Sequence, residues 1–373
     1  MVRRFLVFML VLSCAVALLL VTSTAFAAPP QFLTMKQQLG KFLYFDKNLS
    51  TPSGQACASC HWPKAGYADP DSNLPVSEGV IKGRFGNRNA PTSAYAAFSP
   101  VFHYDPIKGS YIGGQFWDGR AATLADQAKG PFLNPLEMNN PNKEAVVNKV
   151  RRSCYAPLFT VVYGPGSLND AEKAYDLIAD AIAAYESTSE VCKFNSKYDL
   201  YLEGKIKLTK QEMRGLALFE GKAKCANCHP SQSGPDGTPP LFTDFTYDNL
   251  GVPKNPDNPF YNLPPEFNPA GKNFVDLGLG GVLHDPAQYG KMKVPTLRNI
   301  AKTAPYMHNG YFKTLKDVVN FYNTRDTGNW PAPEVSQNVN TGELGNLGLT
   351  DQEVDDIVAF LKTLTDGYGA HRR

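Results

Sequence analysis

Cys57-Ala58-Ser59-Cys60-His61 and Cys225-Ala226-Asn227-Cys228-His229 are two copies of one pattern, C-x-x-C-H, in a chain of 373 residues. The spacing has a chemical meaning. Two thiols about a helical turn apart can add to the two vinyl groups of one porphyrin. The adjoining imidazole then meets the iron from its proximal side, and C-x-x-C-H is the attachment pattern of c-type haem. A single copy could equally be a redox dithiol, or half a zinc site beside a chance histidine. Two copies, each followed directly by His, point to two covalently bound haem c groups.

The start of the chain agrees with that reading, because c-type haem is attached outside the cytoplasm. Arg3 and Arg4 precede an apolar run from Phe5 to Val21, and Ala25-Phe26-Ala27 supplies a small-x-small cleavage pattern. We expect residues 1–27 to be a signal peptide cut near Ala27, and the mature protein to be periplasmic. The competing reading is an uncleaved anchor, for which the apolar run is close to the minimum spanning length. Cys14 lies inside that run, which continues behind it and argues against lipidation. Loss of Arg3 and Arg4 takes the formal charge from +2 to 0. A neutral chain without a basic cluster argues against nucleic acid or an anionic membrane surface as partner. No later segment is apolar enough to span a bilayer. Cys154 and Cys192 can pair in an oxidising compartment or remain free thiols, and spacing does not decide.

Each haem pattern follows an amphipathic stretch, Met35 to Phe45 and Leu208 to Phe219, the second opened by a Thr209/Glu212 capping box. Downstream the halves match again. Asn89-Ala90-Pro91-Thr92 pairs with Val294-Pro295-Thr296, and Asp118-Gly119-Arg120-Ala121-Ala122-Thr123-Leu124 with Asn309-Gly310-Tyr311-Phe312-Lys313-Thr314-Leu315. These repeats predict a mainly α chain of two cytochrome-c-like helical haem domains related by internal duplication, with long irregular loops. The N-terminal haem domain covers 28–200 and the C-terminal one 201–373, the boundary following a helix from Asp170 to Ser189. Residues 231–269, rich in Pro, Gly, Asn and Asp, read as a loop over haem. Asp351 to Leu364 reads as a closing helix with Val354, Ile357, Val358 and Leu361 on one face.

The repeat also makes a statement about the sixth iron position. Seven residues beyond each Thr-Leu pair stand Pro131 in the first half and Tyr322 in the second. Proline has no ligating atom, whereas a phenolate can bind iron. The expectation is an open haem held by His61 alone, and a closed one held by His229 and Tyr322, with Met292 or Met307 as the competing second ligand. Such asymmetry favours catalysis over simple electron carriage.

On these residues the sequence resembles the bacterial dihaem cytochrome c peroxidase/MauG family over essentially the whole mature chain. The resemblance rests further on Phe116-Trp117-Asp118-Gly119-Arg120-Ala121, Gln127-Ala128-Lys129-Gly130-Pro131, Asn134-Pro135-Leu136-Glu137-Met138, Pro295-Thr296-Leu297-Arg298-Asn299 and Thr303-Ala304-Pro305-Tyr306-Met307-His308-Asn309-Gly310. It implies that Glu137 is the distal acid–base group above the open haem, with Gln127 beside it and Pro131 shaping the pocket. It implies Trp117 as an electron relay between the haems. A Ca2+ between the domains would be held by Asn89 and the carbonyls of Thr303 and Pro305, oxygen ligands that suit a hard cation. Two departures matter. The loop Ser77 to Gly86 lacks the histidine that blocks the first haem in many of the peroxidases, and Tyr322 stands where many carry Met. Both features are similar to the MauG-type branch. The stretch from His103 to Gly114 reads as an insertion. His103 is either a surface residue or a ligand that closes the first haem.

Three functions follow from the resemblance. One is a peroxidase reducing hydrogen peroxide at the N-terminal haem, with electrons passed through the C-terminal haem from a small cytochrome or cupredoxin. The second is a MauG-like enzyme that uses peroxide to oxidise Trp or Tyr on a partner protein. The third is a non-enzymatic dihaem carrier. Peroxidase is the broader description and is ranked first. A homodimer is compatible with the sequence, which does not specify oligomeric state.

Overall fold

Helix α1 (Met35–Phe45) begins where the Thr34 hydroxyl accepts from the backbone N–H of Gln37 and the Gln37 side-chain oxygen accepts from the backbone N–H of Thr34. The computed structural model describes residues 32–369, so the expected signal peptide and the tail residue His371 lie outside the described residues. From Leu33 onward the chain forms one compact unit.

In chain order α1 is followed by α2 (Cys57–Cys60), a hairpin of β1 (His103–Asp105) and β2 (Ser110–Ile112), then α3 (Leu124–Leu133), α4 (Lys143–Arg151), α5 (Ala156–Tyr163), α6 (Ala171–Glu186) and α7 (Lys197–Leu202). Next come α8 (Lys210–Glu220), β3 (Tyr247–Asp248), α9 (Gly278–Leu283), β4 (Met292–Lys293), α10 (Leu315–Thr324) and α11 (Asp351–Lys362). The two sheets are antiparallel pairs, β1 with β2 and β3 with β4, so the fold is mainly α as expected. Helix α6 starts at an Asp170 cap, and Val354, Ile357 and Leu361 are buried on α11.

Two apolar cores organise these elements. One collects α1, α4, α5 and α6 around Leu39, Leu43, Val146, Phe159, Ile178 and Ile182. The other collects α8, α10 and α11 around Leu216, Phe219, Val319, Phe321, Ile357 and Phe360. Each core has a tight helix pair at its centre, and a glycine permits the approach. A Cβ on Gly40 of α1 would lie 1.8 Å from the Ala181 carbonyl oxygen of α6. A Cβ on Gly215 of α8 would lie 2.0 Å from the Asp356 carbonyl oxygen of α11. Both glycines occupy the sixth position of their helix, so the internal repeat extends to helix packing.

The expected insertion is the β1–β2 hairpin. His103 is exposed there, with its Nδ1 2.8 Å from the Val101 carbonyl, consistent with the surface reading. Cys154 is an exposed free thiol and Cys192 a buried one, which answers the pairing question in favour of free thiols. Trp330 packs edge-on against Phe312 and Phe321, and Trp62 edge-on against Phe45. Among the described residues no helix is long and apolar enough to cross a membrane.

Candidate haem sites

Each C-x-x-C-H pattern coils into a short turn, α2 for the first and a 3-10 turn (Cys225–Asn227) for the second, with the His backbone N–H donating to the first Cys carbonyl. This puts both thiols and the imidazole on one wall of a cavity. Cys57, Cys60 and His61 line a cavity of about 190 Å3, and Cys225, Cys228 and His229 line a second of about 270 Å3. The Nδ1 of His229 lies 2.7 Å from the Phe242 carbonyl, and that of His61 3.3 Å from the Tyr67 carbonyl. A backbone carbonyl at Nδ1 fixes ring orientation and leaves Nε2 for iron. Burial pushes both imidazoles below their ordinary range, toward the neutral form that ligates. Tyr44 of α1 braces the first site by donating its hydroxyl to the His61 carbonyl at 2.9 Å.

Helices α3 and α10, which line the two cavities, are built alike. Thr123 and Thr314 cap them, each accepting from the backbone N–H of an aspartate three residues on. Pro131 and Tyr322 therefore fall at the same position of two ten-residue helices, and each lines the cavity of its own half. Burial first, then the neighbouring thiols and Asp248, hold the Tyr322 phenol well above its ordinary range. Ionising it would take a cation at the oxygen, such as the iron of a bound haem. Met292 and Met307 line the same cavity, with the Met307 Sδ 4.0 Å from the Tyr322 hydroxyl.

Gln127, Pro131 and Glu137 line the same cavity as His61. Gln127 and Pro131 are four residues apart on α3 and share a face. Glu137 follows in the turn after the helix and is half-buried, its Oε1 accepting from Asn134 Nδ2 at 2.6 Å. Burial pushes its carboxyl up, while the Asn134 hydrogen bond and the Arg120 charge oppose that shift. Nothing local in the Asn134 to Met138 run marks Asn134 as a partner of the carboxylate. Its role shows once the turn brings its amide onto the carboxylate.

Trp117 lines both cavities. Its indole N–H donates to the Asn89 carbonyl at 2.9 Å, and its own carbonyl accepts from Lys293 N at 2.7 Å. Beside it Arg88 bridges Asp118 and Asp276, an ion cluster that sequence reading did not single out. Asn89, Thr303 and Pro305 share the wall of the larger cavity. The Asn89 amide nitrogen is engaged by the Pro75 carbonyl, and among the described residues the Thr303 and Pro305 carbonyls accept no hydrogen bond. Those oxygens suit a hard cation.

Comparison with known proteins bears directly on this arrangement. Residues 34–207 match the family described as di-haem cytochrome c peroxidase, and 276–365 match cytochrome c. The chain is 42% identical over 347 residues to the methylamine utilization protein MauG of Paracoccus denitrificans, covering 88% of both chains. It belongs to the dihaem cytochrome c peroxidase/MauG family. Cytochrome c peroxidase Ccp of Escherichia coli is 33% identical, over 89% of this chain and 58% of the relative. Among solved structures, the diheme peroxidase BthA from Burkholderia thailandensis superposes with a TM-score of 0.78 at 36% identity, covering 90% of this chain and 87% of that one. Membership in the dihaem family makes the two cavities haem c sites and the protein a peroxidase-type oxidoreductase.

Proposed function

We propose that the protein is a periplasmic dihaem peroxidase that reduces hydrogen peroxide at the N-terminal cavity, with electrons delivered through the C-terminal half by a small cytochrome or cupredoxin. One observation carries the proposal: structurally equivalent positions hold Pro131 in one cavity and Tyr322 in the other. Proline offers no atom that could ligate a haem held by His61, whereas Tyr322 would offer its phenol oxygen to a haem held by His229. The organisation is that of two haem-binding halves, 28–200 and 201–373. When bound, the haems supply the iron and electrons for peroxide reduction.

The side chains around the open site manage protons. Glu137, as carboxylate, would accept a proton from one peroxide oxygen and return it to the other, which leaves as water as the O–O bond breaks. Two electrons from the reduced donor, supplied through the bound haems, and two protons from solvent complete the reduction of the remaining oxygen to a second water. Asn134 fixes the carboxyl orientation, and Gln127 contributes a polar amide to the same wall. Trp117, on the wall of both cavities, is the electron relay. A Ca2+ on Asn89, Thr303 and Pro305 would tie the two halves together beside it.

Oxidation of reduced cytochrome c by peroxide, without pre-reduction of the enzyme, tests this reading. Multiple turnover is the expected result. Absence of a high-spin ferric signal in the resting protein would leave only an electron carrier. A second reading is favoured by Tyr322 and by the histidine-free loop Ser77 to Gly86: MauG-like, peroxide-dependent oxidation of Trp or Tyr on a partner protein. Negligible cytochrome c turnover, together with a peroxide-induced spectral change, would select it.

A further inference from the structure

Glu186, the last residue of α6, lines the His61 cavity but takes no part in the mechanism above. It is 4% exposed, and its Oε2 has no hydrogen-bond partner. A buried carboxylate without a partner is expensive, and the cost falls away when it carries a proton. Its position adds to the cost, because a helix C-terminus disfavours negative charge. The ionisable groups around it are Tyr44 from α1, Tyr185 on its own helix and Cys192 from the turn that follows, while Cys57 of α2, also close to it, becomes an uncharged thioether when haem is attached. Glu137 faces the same cavity from the turn after α3. None of these carries a compensating positive charge, and Arg88 and Arg120, which also line the cavity, are paired with Asp118 and Asp276. Burial alone pushes the Glu186 carboxyl up to about 8.

We propose that Glu186 is the redox-linked proton site of the N-terminal haem: it binds one proton when one electron enters that haem and releases it when the electron leaves. Charge balance gives the reason. A ferric haem carries one more positive charge than a ferrous one, and that charge favours the carboxylate of a group in the same low-dielectric cavity. Reduction removes the charge and the carboxylate takes a proton from solvent, so the buried site gains no net charge. Glu186 is a positioning residue in this scheme, distinct from Glu137, which acts on the peroxide oxygens.

The test is spectroelectrochemical titration of both haems between pH 6 and 9 in the wild-type holoprotein and in Glu186→Gln. In the wild type, a tenfold change in proton activity shifts the N-terminal reduction equilibrium by up to tenfold, a slope of up to 59 mV per pH unit. In E186Q that slope flattens, while the slope of the C-terminal haem stays as it was and serves as internal control. Glu186→Asp restores a pH-dependent potential at the N-terminal haem. Haem content, read from the pyridine haemochrome spectrum, confirms that both groups are attached in each variant. An N-terminal slope that survives in E186Q, or an equal loss at both haems, overturns the proposal.

Discussion

Glu137 and Asn134 form the unit on which the proposed peroxide chemistry turns. A general base must be ionised to accept the first proton, yet burial holds this carboxyl above its usual range and the Asn134 hydrogen bond draws it back. Activity therefore falls toward acid, as Glu137 becomes protonated. Asn134→Ala removes the group that favours the carboxylate, so the acid limb of a kcat/KM profile against pH should move to higher pH. Glu137→Gln should lower peroxide turnover by about 10²–10⁴-fold while leaving haem content intact, as stopped-flow kinetics and absorption spectra would show. Tyr322 belongs to the same scale. With Tyr322 as the proposed ligand, replacing it by Met would exchange a phenolate for a thioether and should raise the potential of the C-terminal haem, measured by redox titration. An unchanged potential would mean that Met307, adjacent to the hydroxyl, already holds that position.

Among the elements, the helix pairs α1/α6 and α8/α11 carry the haem-binding turns, and each depends on a glycine that no other residue replaces without movement. A methyl group at Gly40 or Gly215 meets a backbone carbonyl on the facing helix rather than a side chain that could swing aside. Gly40→Ala and Gly215→Ala should each cost about 1–3 kcal/mol by overpacking, despite alanine's better helix propensity. Thermal unfolding followed by circular dichroism would check the sign. Stabilisation by either change would show that the helices separate freely. The twin Thr caps of α3 and α10 fix where those helices start, and so fix the register that sets Pro131 against Tyr322.

Across the whole molecule, Arg298 joins the two cores. It is 1% exposed, forks onto both oxygens of Asp199, and stacks over the rings of Tyr95 and Phe194 at 4.9 and 4.5 Å. Tyr95 belongs to the first core, whereas Arg298 follows the wall of the second cavity. Removing one partner of a buried pair strands the other, so Arg298→Met should destabilise by about 3–5 kcal/mol in denaturant titrations. Burial pushes the Asp199 carboxyl up, but the Arg298 and Ser196 hydrogen bonds outweigh it and hold the carboxyl below its usual range. Its folded value being depressed, the stability it adds is present above the ordinary carboxylate range and is lost as pH falls through the folded value. Acid titration of stability should show that loss in the wild type and less of it in R298M.

The haem patterns, the mainly helical repeat and the Pro131/Tyr322 register could be read from the chain itself, because covalent attachment and helix capping are local and leave local marks. Proximal histidines, thiols and caps lie within a few residues of one another. Other features required the folded chain, since they depend on groups far apart in sequence reaching the same cavity. Trp117 touching both cavities, Asn134 seated on Glu137, the Arg88 cluster and the unpartnered Glu186 have no local signature. Gly40 and Gly215 are an intermediate case. They lie inside the two amphipathic stretches, but only the helix bounds and the facing carbonyls show their equivalence and its reason. Local chemistry fixed what the protein binds, and long-range packing decided which side chains surround it.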